Sequence, residues 1–184
     1  MRYKLDAPFY CGVGSRDTPP DILQLMEAIA VELRENGYVL RSGHADGADK
    51  AFERGSAGIN QIWLPWQGFN YVDEENFPKE GHFHIRDNWM ADKVAAYHHP
   101  NWKACADGVR KLLTRNVYQV LGPGLGVVQQ ETMSKFVVCW TKDGKASGGT
   151  GQAIRIAEGY KIPVFNLQHT DGFEKLAAFL QGQG

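Results

Sequence analysis

Short apolar runs alternate with amphipathic segments along most of the chain. The runs lack a polar–apolar alternation, which is typical of strands that are covered on both faces in a parallel sheet. The predicted strands are residues 9–13, 38–40, 61–66, 136–140 and 162–167. Because helical periodicity follows most of these strands, the pattern predicts an α/β fold, a three-layer sandwich on a mostly parallel sheet.

Helices are predicted between and after these strands. In the first of them, apolar residues recur at spacings of three and four, and Asn36-Gly37 ends the helix. In the second, small residues indicate close packing. The predicted helices cover residues 22–33, 48–55, 105–121, a short segment after residue 151, and 172–180.

Residues 68–104 interrupt this alternation. The segment is aromatic and polar, contains prolines and has no clean period. A short helix is predicted at 91–97 and a long loop over the rest, and loops of that length are commonly lids or binding loops. Its aromatic side chains are predicted either to stack on a base or to cover the sheet edge as an accessory core. They are Tyr71, Phe83, Trp89, Tyr97 and Trp102.

Histidines in the same segment are possible metal ligands, because imidazole binds many transition metals. They occur as His82-x-His84 and as His98-His99. The chain has no paired cysteine spacing and no HExxH pattern, which leaves surface histidines as the favoured interpretation. The sequence therefore predicts no metal centre.

Length and charge restrict the class of partner. The 184 residues fit a single domain over 1–184, with an insertion at about 68–104. The net charge of −1, from 20 basic and 21 acidic residues, provides no global field for nucleic acid or membrane, so neither is expected as a partner. A basic group on one helix is interpreted mainly as a solvated face. It comprises Lys103, Arg110, Lys111 and Arg115.

The cysteines and the absence of targeting patterns indicate a compartment. The three cysteines are an odd number and are predicted to be buried thiols in a reducing environment. No signal-peptide pattern and no apolar run of membrane-spanning length is present. We therefore expect a soluble cytoplasmic protein.

Small and polar residues follow three of the predicted strands, at 14–16, 42–47 and 147–151. Parallel strands bring such loops to one edge of the sheet, where backbone N–H groups suit an anion and Arg16 adds charge. The dinucleotide GxGxxG pattern and the P-loop pattern both fail in these loops. The loops therefore predict a nucleotide-type ligand without a standard phosphate fingerprint.

Four short motifs resemble the SLOG superfamily of Rossmann-like nucleotide-binding proteins. They are VGSR at 13–16, SGHADGAD at 42–49, Arg115-Asn116, and SGGTG at 147–151. The superfamily groups YspA/YpsA-type proteins with the LOG proteins and the DNA-processing protein DprA, and the resemblance covers nearly the whole chain outside 68–104. It implies a Rossmann-like fold and a nucleotide ligand. The residues that it implies at the ligand are Gly14, Ser15, Arg16, Ser42, Gly43, Asp46, Arg115, Asn116, Gly148, Gly149, Thr150 and Gly151.

One departure from the family weakens a hydrolase assignment. LOG-type phosphoribohydrolases carry a PGGxGTxxE pattern, whose glutamate supports cleavage of the glycosidic bond. Here Arg155 stands at the position of that glutamate, so hydrolysis would need another acid. The candidates are Asp46, Asp49 and Glu131. The two aspartates are equally suited to capping the helix that follows them.

The sequence thus predicts a protein that binds a nucleotide or nucleotide-derived small molecule at the carboxyl edge of the sheet. Its predicted role is that of a sensor or sequestering protein, and no cofactor is expected. An N-glycoside hydrolase and a DprA-like protein that binds single-stranded DNA are the two alternatives. Because dimers are common in the resembled families, a homodimer is also considered.

Overall fold

The structure is a computed structural model, and it describes residues 3–4, 6–71, 81–85, 87–125, 131 and 133–182. Within these residues, six strands form one sheet: β1 (Phe9–Gly14), β2 (Val39–Ser42), β3 (Asn60–Leu64), β4 (His82–His84), β5 (Val137–Trp140) and β6 (Val164–Asn166). The helices are α1 (Pro20–Glu35), α2 (Ala48–Ser56), α3 (Trp89–His98), α4 (Asp107–Leu121), α5 (Gly148–Gly159) and α6 (Gly172–Gln181). Single 3-10 turns occur at Phe69–Tyr71 and Trp102–Ala104.

The order of strands in the sheet is β4-β3-β2-β1-β5-β6, and every described pair is parallel. The chain builds outward from β1 to β4 and then returns to the other side of β1 with β5. The order therefore reverses between β1 and β5, and open α/β sheets bind ligands at the carboxyl ends of strands beside such a reversal. The predicted Rossmann-like three-layer sandwich is confirmed.

Helices cover both faces of the sheet and create two cores. Successive strand residues point to opposite faces, so Tyr10 packs with α1, α2 and α6, whereas Cys11 packs with α3, α4 and α5. Val138 and Cys139 divide between the two cores in the same way. Burial on both faces explains why the strands read as continuous apolar runs.

Helix α2 lies close to both β1 and α1 because glycines occupy the contact positions. A Cβ atom at Gly14 would lie 2.5 Å from Ala48 Cβ, and one at Gly12 would lie 2.7 Å from the Phe52 ring. On the other side of the helix, a Cβ at Gly55 would meet the backbone oxygen of Glu27. The glycines thus hold the first turn of α2 against the carboxyl end of β1.

Residues 68–104 contain more regular structure than the sequence predicts. The helix predicted at 91–97 is present as α3, where Asn88 accepts hydrogen bonds from the first-turn N–H groups. The loop expected over the rest is wrong at β4, which pairs with β3 from Ile62–His82 to Leu64–His84. The sequence did not indicate β4 because it is a three-residue edge strand with partly exposed side chains, and such a strand has no apolar run. Residues 72–80 lie outside the described residues.

No helix in the described part of the chain is long and apolar enough to cross a membrane. The longest, α1, has 16 residues, whereas a span needs about 20 apolar ones.

The close contact between α1 and α2 predicts that one methyl group added at Gly55 destabilises the fold. We expect Gly55→Ala to lower the free energy of unfolding by about 1–3 kcal/mol, because the added Cβ overlaps the Glu27 carbonyl and lies 2.7 Å from Ala30 Cβ. Urea denaturation followed by circular dichroism measures this change. Gly108→Ala is the matched control: its Cβ would meet no atom within 4 Å, and we expect neutrality or a gain of up to about 1 kcal/mol. Equal midpoints for the two variants would contradict the close contact.

Candidate functional site

A cavity of about 380 Å³ lies at the carboxyl ends of β1 and β5, where the strand order reverses. Four segments line it: the loop after β1, the loop before α2, one face of α4, and the loop that leads from β5 into α5. The lining residues are Val13, Gly14, Ser15, Arg16, Asp17, Ala45, Asp49, Leu112, Leu113, Arg115, Asn116, Thr141, Lys142, Ser147, Gly148, Gly149 and Thr150. The volume falls in the range of small-molecule sites.

The first turn of α5 forms one wall of the cavity. Ser147 is its N-cap residue, but the Ser147 hydroxyl donates to Asp143 Oδ1 at 2.9 Å and makes no capping bond to the helix. The first-turn N–H groups of a helix have no partner within the helix, and they carry its positive dipole end. Gly148 adopts a φ of +60°, and a Cβ at Gly149 would meet no atom within 4 Å. This turn therefore presents open backbone donors that suit an anion.

Two adjacent residues of α4 hold the loops on either side of the cavity. The Arg115 guanidinium donates to the Gly43 carbonyl at 2.8 Å, and Asn116 Nδ2 donates to the Gly149 carbonyl at 2.9 Å. Both side chains are buried, with 8% and 5% exposure. A side chain at Gly43 is excluded, because a Cβ there would lie 2.7 Å from the Arg115 guanidinium carbon. Helix α4 thus sets the distance between the β2–α2 loop and the start of α5.

Asp49 is a buried carboxyl at the base of the cavity, with 3% exposure. Burial raises its pKa to about 6, although the Arg115 charge and hydrogen bonds from the Ala45 and Gly14 backbone act to lower it. Burial also lowers the pKa of Arg115, and the Asp49 charge acts in the opposite direction. Asp49 is thus the lining group whose charge changes near neutral pH.

The mouth of the cavity carries exposed charges of both signs. Arg16 and Lys142 line it and are exposed, and Asp17 lies beside Arg16. Together with the first turn of α5, the two cations place positive potential where a phosphate would enter.

Not all of the residues predicted at the ligand lie at the cavity. Gly14, Ser15, Arg16, Arg115, Asn116, Gly148, Gly149 and Thr150 line it, whereas Ser42, Gly43, Asp46 and Gly151 are absent from its lining. Ser42 donates to the Gly12 carbonyl at 2.7 Å and joins β2 to β1. Asp46 is exposed and forms an ion pair with Lys50 at 2.7 Å.

The three candidate acids also differ in whether they lie at the cavity. Asp49 lines the cavity, whereas Asp46 and Glu131 do not, and Glu131 is exposed. Arg155, at the position of the LOG glutamate, also lies away from the lining. Its guanidinium donates to the carbonyls of Ala146 and His98, each at 2.8 Å, and so joins α5 to the loop before it and to α3. Arg155 is therefore a structural brace here.

Sequence reasoning missed several lining residues. Lys142 and Thr141 follow β5 directly, a position that parallel strands bring to the ligand edge, and this position was the available signal. Leu112 and Leu113 were identified only as apolar residues of a helix. Nothing in their spacing distinguishes a helical residue that lines a cavity from one in the core.

The described aromatic residues of 68–104, predicted either to stack on a base or to cover the sheet edge, do not line the cavity. Phe83, Trp89, Tyr97 and Trp102 are absent from the described lining, and the side chain of Tyr71 lies outside the described residues. Phe83 stacks on Trp63 with ring centroids 5.0 Å apart, which covers the sheet near its edge. Trp89 and Tyr97 are 65% and 86% exposed on α3.

The fold and the cavity together define a Rossmann-like α/β protein with a ligand site at the reversal of strand order. No protein-family model and no curated protein matches the sequence. A solved structure of DNA processing protein A from Helicobacter pylori is similar, with a TM-score of 0.58 and 21% identity over 96% of this chain and 75% of that one. That structure addresses a unique single-stranded DNA binding mode of the H. pylori protein. The likeness establishes the fold.

The comparison contradicts the expectation that nucleic acid is not a partner. A protein that binds single-stranded DNA has a fold similar to almost the whole of this chain. The expectation was based on a net charge of −1, which is a sum over all residues. A sum near zero does not exclude a local cationic site such as the mouth of this cavity.

The raised pKa of Asp49 predicts that the fold becomes less stable as the pH rises toward neutrality. Between about pH 4 and pH 6 the folded state holds a proton on Asp49 that the unfolded chain releases, so this group's contribution to stability falls as the pH rises. Relative to Asp49→Asn, the wild type should lose about 2–3 kcal/mol between pH 4 and pH 7. Urea denaturation at a series of pH values measures the difference. Asp46→Asn, at an exposed carboxyl whose pKa is lowered, should leave the wild-type slope in this window almost unchanged; parallel profiles for wild type and Asp49→Asn would contradict the assignment.

Proposed function

We propose that the protein binds single-stranded DNA at the carboxyl edge of the sheet, with a backbone phosphate in the cavity at the first turn of α5. The observation that carries this proposal is the open N-terminus of α5. Its N-cap hydroxyl bonds to Asp143, so that the N–H groups of the turn are available beside Arg16 and Lys142. Backbone N–H groups at a helix start bind phosphate without regard to base identity.

Local charge supports the same proposal. Lys111 is exposed on α4 next to Leu112, which lines the cavity, and Lys103 is exposed just before that helix. Arg16 and Lys142 offer cations at the cavity itself, and Lys111 and Lys103 add exposed cations on α4 and just before it. Arg115 lines the cavity but is not one of these exposed cations, because it is buried and donates to the Gly43 carbonyl. Phosphate contacts of this kind release counterions, so the binding should weaken as salt is added.

The similar fold of a single-stranded DNA-binding protein is a second line of support. We also propose membership of the SLOG superfamily, supported by the positions of its motifs: residues of VGSR, SGGTG and Arg115-Asn116 meet at one cavity. A single domain over 1–184, a homodimer and a cytoplasmic location stay predictions.

A free nucleotide or nucleotide-derived small molecule is the second candidate ligand. The observation that favours it is the volume of about 380 Å³, which accommodates a small molecule in addition to a phosphate group. A sensor or sequestering protein would return this ligand unchanged. A hydrolase would release the free base and would depend on Asp49, the candidate acid that lines the cavity.

A charge at Gly149 tests the proposed phosphate position. We expect Gly149→Asp to weaken binding of labelled oligothymidylate at least about tenfold, because a carboxylate then occupies the anion turn. Fluorescence anisotropy at low salt measures the affinity. Gly149→Asn is the matched control, since it adds the same volume without charge in open space, and it should stay within about threefold of wild type. Equal losses for the two variants would indicate a steric effect and contradict the anion role.

The same assay separates the two candidate ligands. Wild-type protein should bind the oligonucleotide more tightly than a mononucleotide, and an excess of the mononucleotide should compete with it if both use the cavity. Tight mononucleotide binding without oligonucleotide binding would replace the first candidate by the second. Chromatography of the recovered nucleotide then distinguishes unchanged ligand from released base.

The salt dependence of binding tests the role of Arg16. We expect Arg16→Gln to reduce the slope of log affinity against log salt by about 0.7, the value for one phosphate contact on a single strand. Anisotropy titrations at four or more salt concentrations give the slope. Lys175→Gln is the control: it removes an exposed cation on α6, away from the cavity, and should leave the slope unchanged. An unchanged slope for Arg16→Gln would show that Arg16 contacts no phosphate.

A further inference from the structure

Two imidazoles and one carboxylate meet on the β2–β3–β4 side of the sheet. His44 lies in the loop after β2, Glu53 on α2 and His82 on β4, and one potential ligand atom from each lies within 4.8 Å of the others. His44 Nδ1 is 2.8 Å from Glu53 Oε2, and the two histidine rings face each other edge-on with centroids 5.9 Å apart. The loop after β2, helix α2 and strand β4 thus present their donors to one point.

We propose that His44, Glu53 and His82 bind a divalent transition metal ion of the Zn²⁺ class. Imidazole nitrogen and carboxylate oxygen are the ligands that such ions accept, and two histidines with one glutamate leave further coordination positions open. Ligand bonds of about 2.0–2.2 Å in a tetrahedral arrangement separate donor atoms by roughly 3.3–3.6 Å. The observed spacing of the three donors, from 2.8 Å to at most 4.8 Å, brackets that range.

The surroundings hold these ligands in place. Asn70 donates from its amide to the His44 carbonyl at 2.8 Å and to Asp46 Oδ1 at 3.2 Å, which fixes the loop that carries His44. His44 adopts a left-handed φ of 60°, a conformation in which the chain turns sharply toward α2. Glu53 Oε1 is buried and has no hydrogen-bond partner among the described residues, so one carboxylate oxygen remains for an ion.

A simple hydrogen bond between His44 and Glu53 is the competing explanation. It accounts for the 2.8 Å contact but leaves Glu53 Oε1 buried without a described partner. A metal ion accounts both for the approach of the three donors and for the second oxygen of the Glu53 carboxylate.

The three residues are absent from the lining of the phosphate cavity, so the proposal goes beyond the DNA-binding function. Glu53 lies one turn along α2 from Asp49, which does line that cavity. The two sites therefore share a helix but use different side chains.

Titration of the full chain with Zn²⁺ alone tests the proposal. Isothermal titration calorimetry should show one ion bound per chain, with an affinity at least about tenfold lower in His82→Gln and in Glu53→Gln. Glu53→Gln keeps an oxygen to accept from His44 and so preserves the hydrogen bond, and it carries the test if His82→Gln does not fold. His84→Gln is the matched control, two residues along the same strand, and should stay within about twofold of wild type.

A titration with Co²⁺ identifies the donor atoms. The bound ion should show visible absorption without a thiolate charge-transfer band, because the proposed site contains no sulfur. A thiolate band would assign the ion to His99 and Cys105, whose Nδ1 and Sγ lie 3.8 Å apart, and would overturn the proposal. Equal affinity of wild type and Glu53→Gln would overturn it as well, as would equal losses in His82→Gln and His84→Gln.

Discussion

The paired hydrogen bonds of Arg115 and Asn116 are the constraint on which the candidate site depends. These neighbours on α4 hold the carbonyls of Gly43 and Gly149, which belong to loops that follow two different strands. A buried polar side chain that loses its hydrogen-bond partner destabilises the fold, so neither loop can move without breaking a hydrogen bond of a buried side chain. Helix α4, which packs on one face of the sheet, therefore fixes the width of the cavity.

The loop between β2 and α2 contributes to two candidate sites while one of its residues is held by α4. Its three consecutive residues have three separate roles: Gly43 is bonded to α4, His44 turns toward Glu53, and Ala45 lines the cavity. Gly43 allows the close approach of the Arg115 guanidinium, and the backbone at His44 adopts a left-handed conformation. One short loop thus belongs to the proposed phosphate site and to the proposed metal site at once.

Charge has to be considered at the scale of the site. The whole chain is nearly neutral, with 20 basic and 21 acidic residues, yet the cavity mouth combines two exposed cations with an open helix N-terminus. At physiological salt a charge acts over about 8 Å, so distant acidic residues hardly reduce that local potential. The two arginines at the cavity also have different roles. Arg16 is exposed, whereas Arg115 is buried and joins α4 to Gly43.

The sequence by itself determined the layer architecture, because apolar runs of strand length without alternation, followed by helical periodicity, indicate strands covered on both faces. The glycine-rich ends of these runs indicated one ligand edge. The sequence also identified Arg115 and Asn116, through a resemblance to a known family. Tertiary structure decided which loop residues reach the cavity and that His82 approaches His44 and Glu53. Strand order and helix packing create those contacts between residues far apart in the chain, and no local pattern records them.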